Sequence, residues 1–194
     1  MSATHRGGKR RKDDFYETPE WCTRAILKAL DLRADHMTIL EPSAGHGAIV
    51  RVLREHPWTS LSAPMIVTVE IREDARLHLA EAGADVWITG HDFLSWETAN
   101  RYDLLIGNPP FSLAFEFCQK CVGMADTVAL LLRLNFLASK KRSAWMQEHT
   151  PSIYVLSKRP SFTGNGTDSA DYAWFVWDRG PARVRILPET GEMF

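Results

Sequence analysis

The sequence has little cysteine, little net charge and no long apolar run. Its three cysteines are an odd number, which excludes a fully paired disulfide framework and favours a reducing compartment. No stretch approaches the roughly 20 apolar residues of a membrane span, and the first residues lack the apolar core of a signal peptide. The formal net charge of -1 gives no general attraction to nucleic acid. These absences predict a cytoplasmic protein that does not associate with membranes.

Positive charge is concentrated near the amino terminus. Residues 5–12 read HRGGKRRK and contain no side chain that would anchor them in a core. We predict a flexible basic arm over residues 1–13 that binds nucleic-acid phosphates, with a solvated tail as the alternative. The remaining residues, 14–194, suffice for one well-buried domain and are too few for two large ones.

Short apolar runs alternate with helical patterns through the rest of the chain. Near-continuous apolar strands separated by helices are typical of a parallel sheet that is covered on both faces. We therefore predict an α/β fold with a mostly parallel seven-stranded sheet and helices on both faces. The predicted strands are 37–40, 65–71, 85–89, 102–107, 127–134, 152–157 and 172–178, with 182–187 extending the edge, and helices are predicted over 46–56, 73–83, 112–123 and 139–149.

Cys118 and Cys121 form a CxxC pair within a predicted helix. They share one helical face with Leu113, Phe117 and Val122, and no second pair of metal ligands lies nearby in the sequence. We therefore predict that the two cysteines pack in the core rather than bind a metal.

Ligands of open parallel sheets bind at the carboxyl ends of the strands, so the residues that follow each strand are candidates for a site. After the first strand the chain reads EPSAGHG, residues 41–47, in which Gly45 and Gly47 permit a sharp turn and the close approach of a ligand. A phosphate site would favour a helix N-terminus without a neighbouring carboxylate. Glu41 instead favours a ligand with a positive centre, such as a sulfonium or an amine.

Two further strands also end near acidic residues. Glu70 can accept two hydrogen bonds from vicinal ribose hydroxyls; alternatively, it is a solvated acid paired with Arg72. The third strand leads into GHDF, in which Asp92 can accept from an adenine amino group while Phe93 packs on the ring. Three acids beside a glycine loop predict a site for an adenosine with a cationic tail.

The order of these segments resembles a known enzyme family. EPSAGHG, Glu70, HDF and the later NPPF at residues 108–111 follow one another as in the class I S-adenosylmethionine-dependent methyltransferases, which have a Rossmann-like fold. More narrowly, FYETP at residues 15–19 resembles the FYxTP segment of the methyltransferases that modify N6 of adenine in DNA. The resemblance extends over about residues 15–177.

The resemblance implies S-adenosyl-L-methionine as the cofactor and assigns residues to its parts. The residues implied to surround the methionine and sulfonium are Phe15, Tyr16, Thr18, Glu41, Ser43, Gly45 and Gly47, those implied to contact the ribose and adenine are Glu70, Ile71, Asp92 and Phe93, and Asn108 borders the same site. Thr18 and Pro19 also fit a structural role, as a helix N-cap followed by proline at the first helical position.

The NPPF segment contains the residues implied to be catalytic, which are Asn108, Pro109, Pro110 and Phe111. The amine at adenine N6 is a poor nucleophile because its lone pair is delocalised into the ring. Hydrogen-bond acceptors around it favour a tetrahedral nitrogen and stabilise its developing positive charge. The Asn108 side-chain oxygen and the Pro109 carbonyl are the implied acceptors, the prolines stiffen the loop, and Phe111 stacks on the base. The structural alternative is a rigid turn after a strand.

A base inside a duplex cannot reach such a loop, so a DNA substrate must present a flipped-out adenine. Lys158 and Arg159 are predicted to meet phosphate. Phe162 matches the aromatic residue that the family places against the flipped base, with loop anchoring as the alternative. The aromatic alternation over residues 172–177 is predicted to be sheet packing.

Sequence-specific adenine methyltransferases usually carry a separate target-recognition domain, whereas residues 14–194 provide only the predicted catalytic domain. The leading hypothesis is methylation of adenine N6 in double-stranded DNA, with recognition of a very short sequence or through a partner subunit. Three alternatives remain open: methylation of adenine N6 in RNA, methylation of glutamine in a protein, and a catalytically idle nucleic-acid-binding module.

Overall fold

The computed structural model of the protein describes residues 16–30, 32, 36–58, 62–162 and 166–188. The predicted basic arm, residues 1–13, and Phe15 lie outside these ranges.

Eight strands form one mixed sheet in the described part of the chain. The strands are β1 (Thr38–Glu41), β2 (Met65–Glu70), β3 (Val86–Thr89), β4 (Tyr102–Gly107), β5 (Ala125–Arg133), β6 (Ser152–Leu156), β7 (Tyr172–Trp177) and β8 (Val184–Leu187). Their order across the sheet is β3-β2-β1-β4-β5-β7-β6-β8. In this sheet β7 runs antiparallel to both of its neighbours, and the other neighbouring strands are parallel to one another.

The prediction of a mostly parallel α/β sheet is confirmed, whereas the predicted count of seven strands is wrong. Residues 182–187, predicted to extend the edge, contain a separate strand, β8, which pairs in parallel with β6. Val184 and Ile186 on this outermost strand are exposed. A four-residue strand with three exposed side chains leaves little alternation for the sequence to reveal.

Five helices lie on the two faces of the sheet, counted over the described residues. They are α1 (Glu20–Ala29), α2 (Ala48–Glu55), α3 (Arg76–Ala82), α4 (Ala114–Cys121) and α5 (Ser143–Glu148). The first three share one hydrophobic cluster through Ile26, Leu53 and Leu79. The other two pack against the opposite cluster through Phe117 and Trp145. None of these helices is long and apolar enough to cross a membrane, among the residues that the structure describes.

Strand side chains alternate between these two clusters. Along β4, Leu104 and Ile106 belong to the cluster under α1, α2 and α3, while Leu105 belongs to the cluster under α4 and α5. Successive residues of a strand point to opposite faces, so a strand that is apolar throughout needs helices on both sides. The near-continuous apolar runs of the sequence follow from this burial.

The predicted N-cap at Thr18 is wrong. Helix α1 begins at Glu20, so Pro19 occupies the N-cap position, and no side chain caps this helix end. The Thr18 side chain is instead buried in the wall of a cleft described below. The fold of the whole domain, and not the local pattern, therefore decides where this side chain lies.

The predicted helix over residues 139–149 is shorter than expected. Helix α5 begins at Ser143, and residues 140–142 form a turn. In this turn the Arg142 guanidinium donates to the Phe136 carbonyl through Nε at 3.0 Å and Nη2 at 2.8 Å. These hydrogen bonds stabilise the turn, so the helix begins at Ser143 rather than at residue 139.

The cysteines and the carboxyl-terminal aromatic residues pack as predicted. Cys118 and Cys121 are buried in the core, as is the aromatic segment of residues 172–177. Burial raises the pKa of the Cys118 thiol to about 12 and raises the pKa of the Cys22 and Cys121 thiols well above the ordinary value. Such thiols are protonated at neutral pH, so they lack the thiolate that nucleophilic catalysis requires.

The strand order reverses between β1 and β4. These strands are neighbours in the sheet although β2 and β3 lie between them in the chain. Connections that leave such a pair on opposite faces open a crevice at the carboxyl ends of the strands, where open α/β sheets bind ligands. Strand β1 ends at Glu41 and β4 ends at Gly107, so Glu41 and Asn108 flank this crevice.

Gly47 allows α2 to approach α3 closely. It precedes α2 with a φ of 79°, in the left-handed region that disfavours other residues. A Cβ atom at this position would lie only 2.5 Å from the Cβ of Ala82. Gly47 therefore positions α2 against α3 through its missing side chain.

Gly47→Ala should destabilise the protein by more than backbone strain alone. The control is Gly123→Ala, because Gly123 also has a positive φ, of 105°, and a Cβ there would meet nothing within 4 Å. We expect about 1–2 kcal/mol from strain at Gly123 and a further loss of about 1–3 kcal/mol from overpacking at Gly47. Urea denaturation measures both; equal losses would show that the contact with Ala82 relaxes freely.

Candidate active site

A cleft opens at the carboxyl ends of β1, β2 and β4. It holds about 760 Å³ of free space, counted out to the open solvent. Most of the sequence-predicted cofactor residues line it. These are Tyr16, Thr18, Glu41, Ser43, Gly45, Glu70, Ile71, Asp92, Phe93 and Asn108, together with Pro110 of the predicted catalytic segment.

Several predicted site residues lie outside the lining of this cleft. Gly47 faces α3, and Pro109 is buried. Phe111 lines a neighbouring pocket instead. Phe162 packs beside Phe111 in an aromatic cluster, and Lys158 and Arg159 lie on the exposed part of the same loop.

Glu41 carries a buried carboxyl group without a complete set of hydrogen-bond partners. Its side chain is only 2% exposed, and its Oε2 atom has no hydrogen-bond partner among the described residues. Burial raises the pKa of this carboxyl well above the ordinary value, and the nearby charge of Glu70 raises it further, against a smaller lowering by Arg51. A buried acid of this kind is costly unless a ligand donates to it or brings a positive charge.

Glu70 is fixed in position from both of its carboxylate oxygens. Its Oε2 accepts a hydrogen bond of 2.7 Å from the Gly45 backbone N–H. Its Oε1 accepts from Arg72, through the backbone N–H at 3.1 Å and through Nε at 3.0 Å. The predicted pairing with Arg72 is confirmed, but the pair is buried rather than solvated. Oε1 already accepts two hydrogen bonds, whereas Oε2 keeps a second lone pair, so Glu70 is held in place and can still accept from a ligand through Oε2.

Asn108 presents a free acceptor next to the cleft. Its Nδ2 donates to the Tyr16 backbone carbonyl at 3.1 Å, so the amide oxygen must face the other way. That oxygen, Oδ1, is buried and has no hydrogen-bond partner among the residues that the structure describes. An unsatisfied buried acceptor costs about 1–3 kcal/mol and calls for a donor from outside the chain.

The loop that carries Asn108 is tied to the glycine loop and is stiffened by its prolines. The Ser43 hydroxyl donates to the Asn108 backbone carbonyl at 3.3 Å. The Pro110 carbonyl accepts from the Leu113 N–H at 2.9 Å, which begins a short 3-10 turn that leads into α4. The two loops at the end of β1 and β4 therefore hold each other in a fixed arrangement.

The far wall of the cleft is apolar with one acid at its edge. Phe93 is buried and packs on Phe117, with ring centroids 5.2 Å apart. Ile71 lines the cleft while remaining 57% exposed, so it presents apolar surface to whatever enters. Asp92 is exposed, and its Oδ1 accepts from the Leu94 N–H at 2.9 Å within a local turn. This combination suits a flat ring with a polar edge.

Four aromatic rings pack together beside Asn108. Phe111 stacks on Tyr16 with centroids 5.9 Å apart, and it contacts Phe162 at 6.0 Å and Tyr172 at 5.5 Å. Phe162 also meets Tyr172 edge-on at 5.1 Å. Phe162 thus anchors its loop and lies next to Phe111 at the same time, so both interpretations of this residue fit the contacts.

Arg133 is a residue that the sequence analysis missed. Its Cζ lies 4.7 Å from the centroid of the Phe111 ring. Its Nε donates to the Tyr172 hydroxyl at 3.0 Å, and that hydroxyl donates to Asp168 at 2.8 Å. The signal was available, because Arg133 is the last residue of β5 and thus lies at the same edge of the sheet as Glu41 and Asn108.

Lys158 and Arg159 have partners within the chain. Lys158 Nζ lies 5.2 Å from the Trp21 ring centroid. Arg159 Nε donates to Asp171 at 2.8 Å across the base of the loop. Both side chains are exposed, so the predicted phosphate contacts stay a prediction.

Replacing Glu41 by glutamine should stabilise the free protein increasingly as the pH rises. The folded state keeps this carboxyl neutral above its ordinary value of 4.5, whereas the unfolded chain ionises it, so rising pH favours unfolding. Glu41→Gln removes this pH-dependent loss of stability, because glutamine does not ionise. The gain in the free energy of unfolding should be smallest below pH 4.5 and should grow toward neutral pH, as measured by urea denaturation from pH 4 to 8.

Glu81→Gln, on the exposed surface of α3, provides the matched baseline for this experiment. A difference between Glu41→Gln and the unmodified protein that does not vary with pH would show that Glu41 ionises without hindrance in the fold.

Comparison with known proteins places this site in a familiar architecture. No family model matches the chain. The chain is similar to the type II methyltransferase M.CvrRI of Paramecium bursaria Chlorella virus XZ-6E, with 28% identity over 170 residues, and the match covers 75% of this chain. It spans only 44% of the length of the viral protein.

Two solved structures share the fold. The methyltransferase subunit of a type I restriction-modification system from Streptococcus thermophilus superposes with a TM-score of 0.67 at 14% identity, covering 89% of this chain and 47% of the subunit. The 23S rRNA methyltransferase ErmE superposes with a TM-score of 0.60 at 18% identity, covering 87% of this chain and 70% of that enzyme. The protein therefore has the Rossmann-like α/β fold of methyltransferases.

Proposed function

We propose that this protein is an S-adenosylmethionine-dependent methyltransferase that acts on N6 of adenine in DNA. The observation that carries the proposal is the free amide oxygen of Asn108, buried beside the cleft and oriented by the Tyr16 carbonyl. An acceptor held in this way can bind an exocyclic amine, which is a hydrogen-bond donor. The similarity to a type II methyltransferase supports methyl transfer as the reaction class.

The residues of the cleft fit the proposed cofactor. The unpartnered Oε2 of Glu41 suits the positive end of S-adenosylmethionine, which carries an ammonium and a sulfonium group. The carboxylate of Glu70, fixed by Gly45 and Arg72, keeps one lone pair, on Oε2, for a ribose hydroxyl. Ile71 and Phe93 offer apolar surface to the adenine, with Asp92 as an acceptor at its edge.

In the proposed reaction the chain acts by holding the target amine. S-adenosylmethionine supplies an electrophilic methyl carbon: the N6 lone pair forms the new N–C bond, the C–S bond breaks, and the thioether leaves. The Asn108 oxygen accepts a hydrogen bond from the N6 amino group and thereby stabilises the positive charge that grows on nitrogen. The amide oxygen is too weak a base to keep the N6 proton, so that proton passes to solvent.

Pro109 and Pro110 contribute to the same step by rigidity. Their rings fix φ, and the hydrogen bond from Ser43 restrains the Asn108 backbone, so the acceptor does not have to be ordered when the base enters. The Pro109 carbonyl is the proposed second acceptor. Phe111, with Phe162 beside it, provides the aromatic surface for a flipped base.

A covalent mechanism through cysteine is disfavoured. Attack on a carbon of a base requires a thiolate in the site, whereas Cys22, Cys118 and Cys121 are buried in the core with raised pKa values. Direct transfer to nitrogen needs no such nucleophile. Amine methylation therefore fits the available side chains better than methylation of a ring carbon.

DNA is the first substrate to test and RNA the second. The type II methyltransferase and the restriction-modification subunit favour DNA. The described residues form no separate target-recognition domain, so a partner subunit would recognise the target sequence. The shared fold with an rRNA methyltransferase favours RNA as the second candidate. Both substrates would present the same amine to Asn108.

The proposal is tested by transfer of a radiolabelled methyl group from S-adenosylmethionine to duplex DNA, total RNA and a protein extract in parallel. The nucleic acids are digested to nucleosides, and we expect the label in N6-methyl-deoxyadenosine. Label in RNA alone would change the substrate, and label in protein would change the class of acceptor. Bound cofactor without transfer to any of the three would contradict the proposal.

Asn108→Ala should abolish methyl transfer while preserving cofactor binding. Loss of a preorganised transition-state hydrogen bond costs about 10²–10³ in kcat. Cofactor affinity, measured by isothermal titration calorimetry, should change little because Glu41 and Glu70 remain. Asn100→Ala, on an exposed residue before β4, is the control and should keep full activity. Loss of cofactor binding in Asn108→Ala would assign the residue a structural role instead.

A further inference from the structure

The segment that follows β5 carries a concentration of positive charge unrelated to the amino-terminal arm. Between Thr127 and Gln147 the sequence contains four cationic residues, Arg133, Lys140, Lys141 and Arg142, and no aspartate or glutamate. The net charge of the whole chain is -1, so this segment departs from the rest. Three of the four cations are consecutive and form the turn that precedes α5, called here the basic turn, residues 140–142.

The fold brings the basic turn to the NPPF loop. A pocket of about 820 Å³, counted out to solvent, is lined by Phe111 together with Ser139 and Arg142. Arg133 and Asn135 belong to the same lining. Phe111 is the ring proposed to receive the target base, so two guanidinium groups and the Ser139 hydroxyl share a pocket with that ring, and Lys140 and Lys141 adjoin Arg142 in the chain.

The basic turn is held in a defined conformation. Arg142 Nε and Nη2 donate to the Phe136 carbonyl, and its Cζ stacks 4.3 Å from the Phe136 ring centroid. Lys141 Nζ lies 6.0 Å from the ring of Phe115 on α4, which follows the NPPF loop. Lys140 and Lys141 are exposed, so their ammonium groups remain accessible to a ligand.

The acidic group beside Arg133 is Asp168. Asp168 accepts from the Tyr172 hydroxyl at 2.8 Å and lies 3.7 Å from Arg133 Nη2, so its charge is balanced at the Arg133 end. Among the described residues, no ion pair joins Lys140, Lys141 or Arg142 to an acid. The basic turn therefore keeps its positive charge.

We propose that the basic turn binds the phosphates that flank the target nucleotide while its base lies against Phe111. Aromatic surface beside a cationic surface is the arrangement that binds nucleic-acid strands, because bases stack on the ring and phosphates meet the cations. Ser139 and Asn135 add polar side chains for phosphate oxygens at the same pocket. This inference rests on the proposed function for the identity of the base, and it assigns the backbone contact to a surface separate from the cofactor cleft.

The test is the salt dependence of nucleic-acid binding, measured by fluorescence anisotropy with labelled duplex DNA, single-stranded DNA and RNA. Each lost phosphate contact lowers the slope of log K against log salt by about 0.9 on duplex DNA, so Lys140→Gln with Lys141→Gln should lower it by about 1.8. Charge-preserving Lys140→Arg with Lys141→Arg should keep the slope. Circular dichroism of both variants checks that they are folded. A lower salt slope in a folded arginine variant would show that the charge of the basic turn does not set the slope, and would overturn the inference.

The matched control is Lys28→Gln with Arg76→Gln, which removes the same charge from α1 and α3 on the opposite face of the sheet. This control should leave the slope unchanged. An equal reduction of the salt slope in both double variants would show that only the net charge matters, and would overturn the inference. An unchanged slope in the Lys140 and Lys141 glutamine variant, or no binding to any of the three nucleic acids, would also overturn it.

These outcomes are independent of the methyl-transfer assay. Nucleic-acid binding that depends on the basic turn, without methyl transfer by the unmodified protein, would leave the surface in place and remove the proposed function. Methyl transfer to adenine, together with an unchanged salt slope in the Lys140 and Lys141 glutamine variant, would support the proposed function and overturn the inference about the basic turn.

Discussion

The hydrogen bond from Asn108 Nδ2 to the Tyr16 carbonyl decides which atom of the amide is offered to a ligand. Its two residues are 92 positions apart in the chain and meet only because the segment before α1 closes over the end of β4. Without this bond, the amide could rotate by half a turn and present a donor where the proposed reaction needs an acceptor. The Ser43 hydroxyl restrains the backbone of the same residue, so side chain and main chain of Asn108 are both fixed, the first by the segment before α1 and the second by the loop after β1.

The site is built at some cost to the stability of the free protein. The Glu41 Oε2 and the Asn108 Oδ1 are buried acceptors without partners among the described residues, and each such group costs about 1–3 kcal/mol. Elsewhere the two hydrophobic clusters enclose the sheet with helices on both faces, which provides the stability that such a site requires. Two buried acceptors without partners at one cleft are typical of a ligand-binding site before its ligand is bound.

Much of the fold could be predicted because buried strands and helices leave a period in the sequence. Seven strands lie close to their predicted positions, and β8 was missed as a separate strand because an edge strand exposes most of its side chains. The errors at Thr18 and at the start of α5 have the same kind of cause. The Thr18 side chain lies in the cleft wall instead of capping α1, and the Arg142 side chain donates to the Phe136 carbonyl in a turn before α5. The helical pattern of the sequence shows neither of these positions.

The sequence by itself determined the α/β class, the strand-end acids and the NPPF segment, because each depends on residues that are adjacent in the chain. Only the tertiary structure decided that Glu70 is held by Gly45 and Arg72, that Gly47 faces α3, and that Arg133 and the basic turn lie beside Phe111. The physical reason is that a parallel sheet gathers the carboxyl ends of strands that are far apart in sequence. Which side chains then touch depends on strand order and loop direction, and these are set by packing across the whole domain.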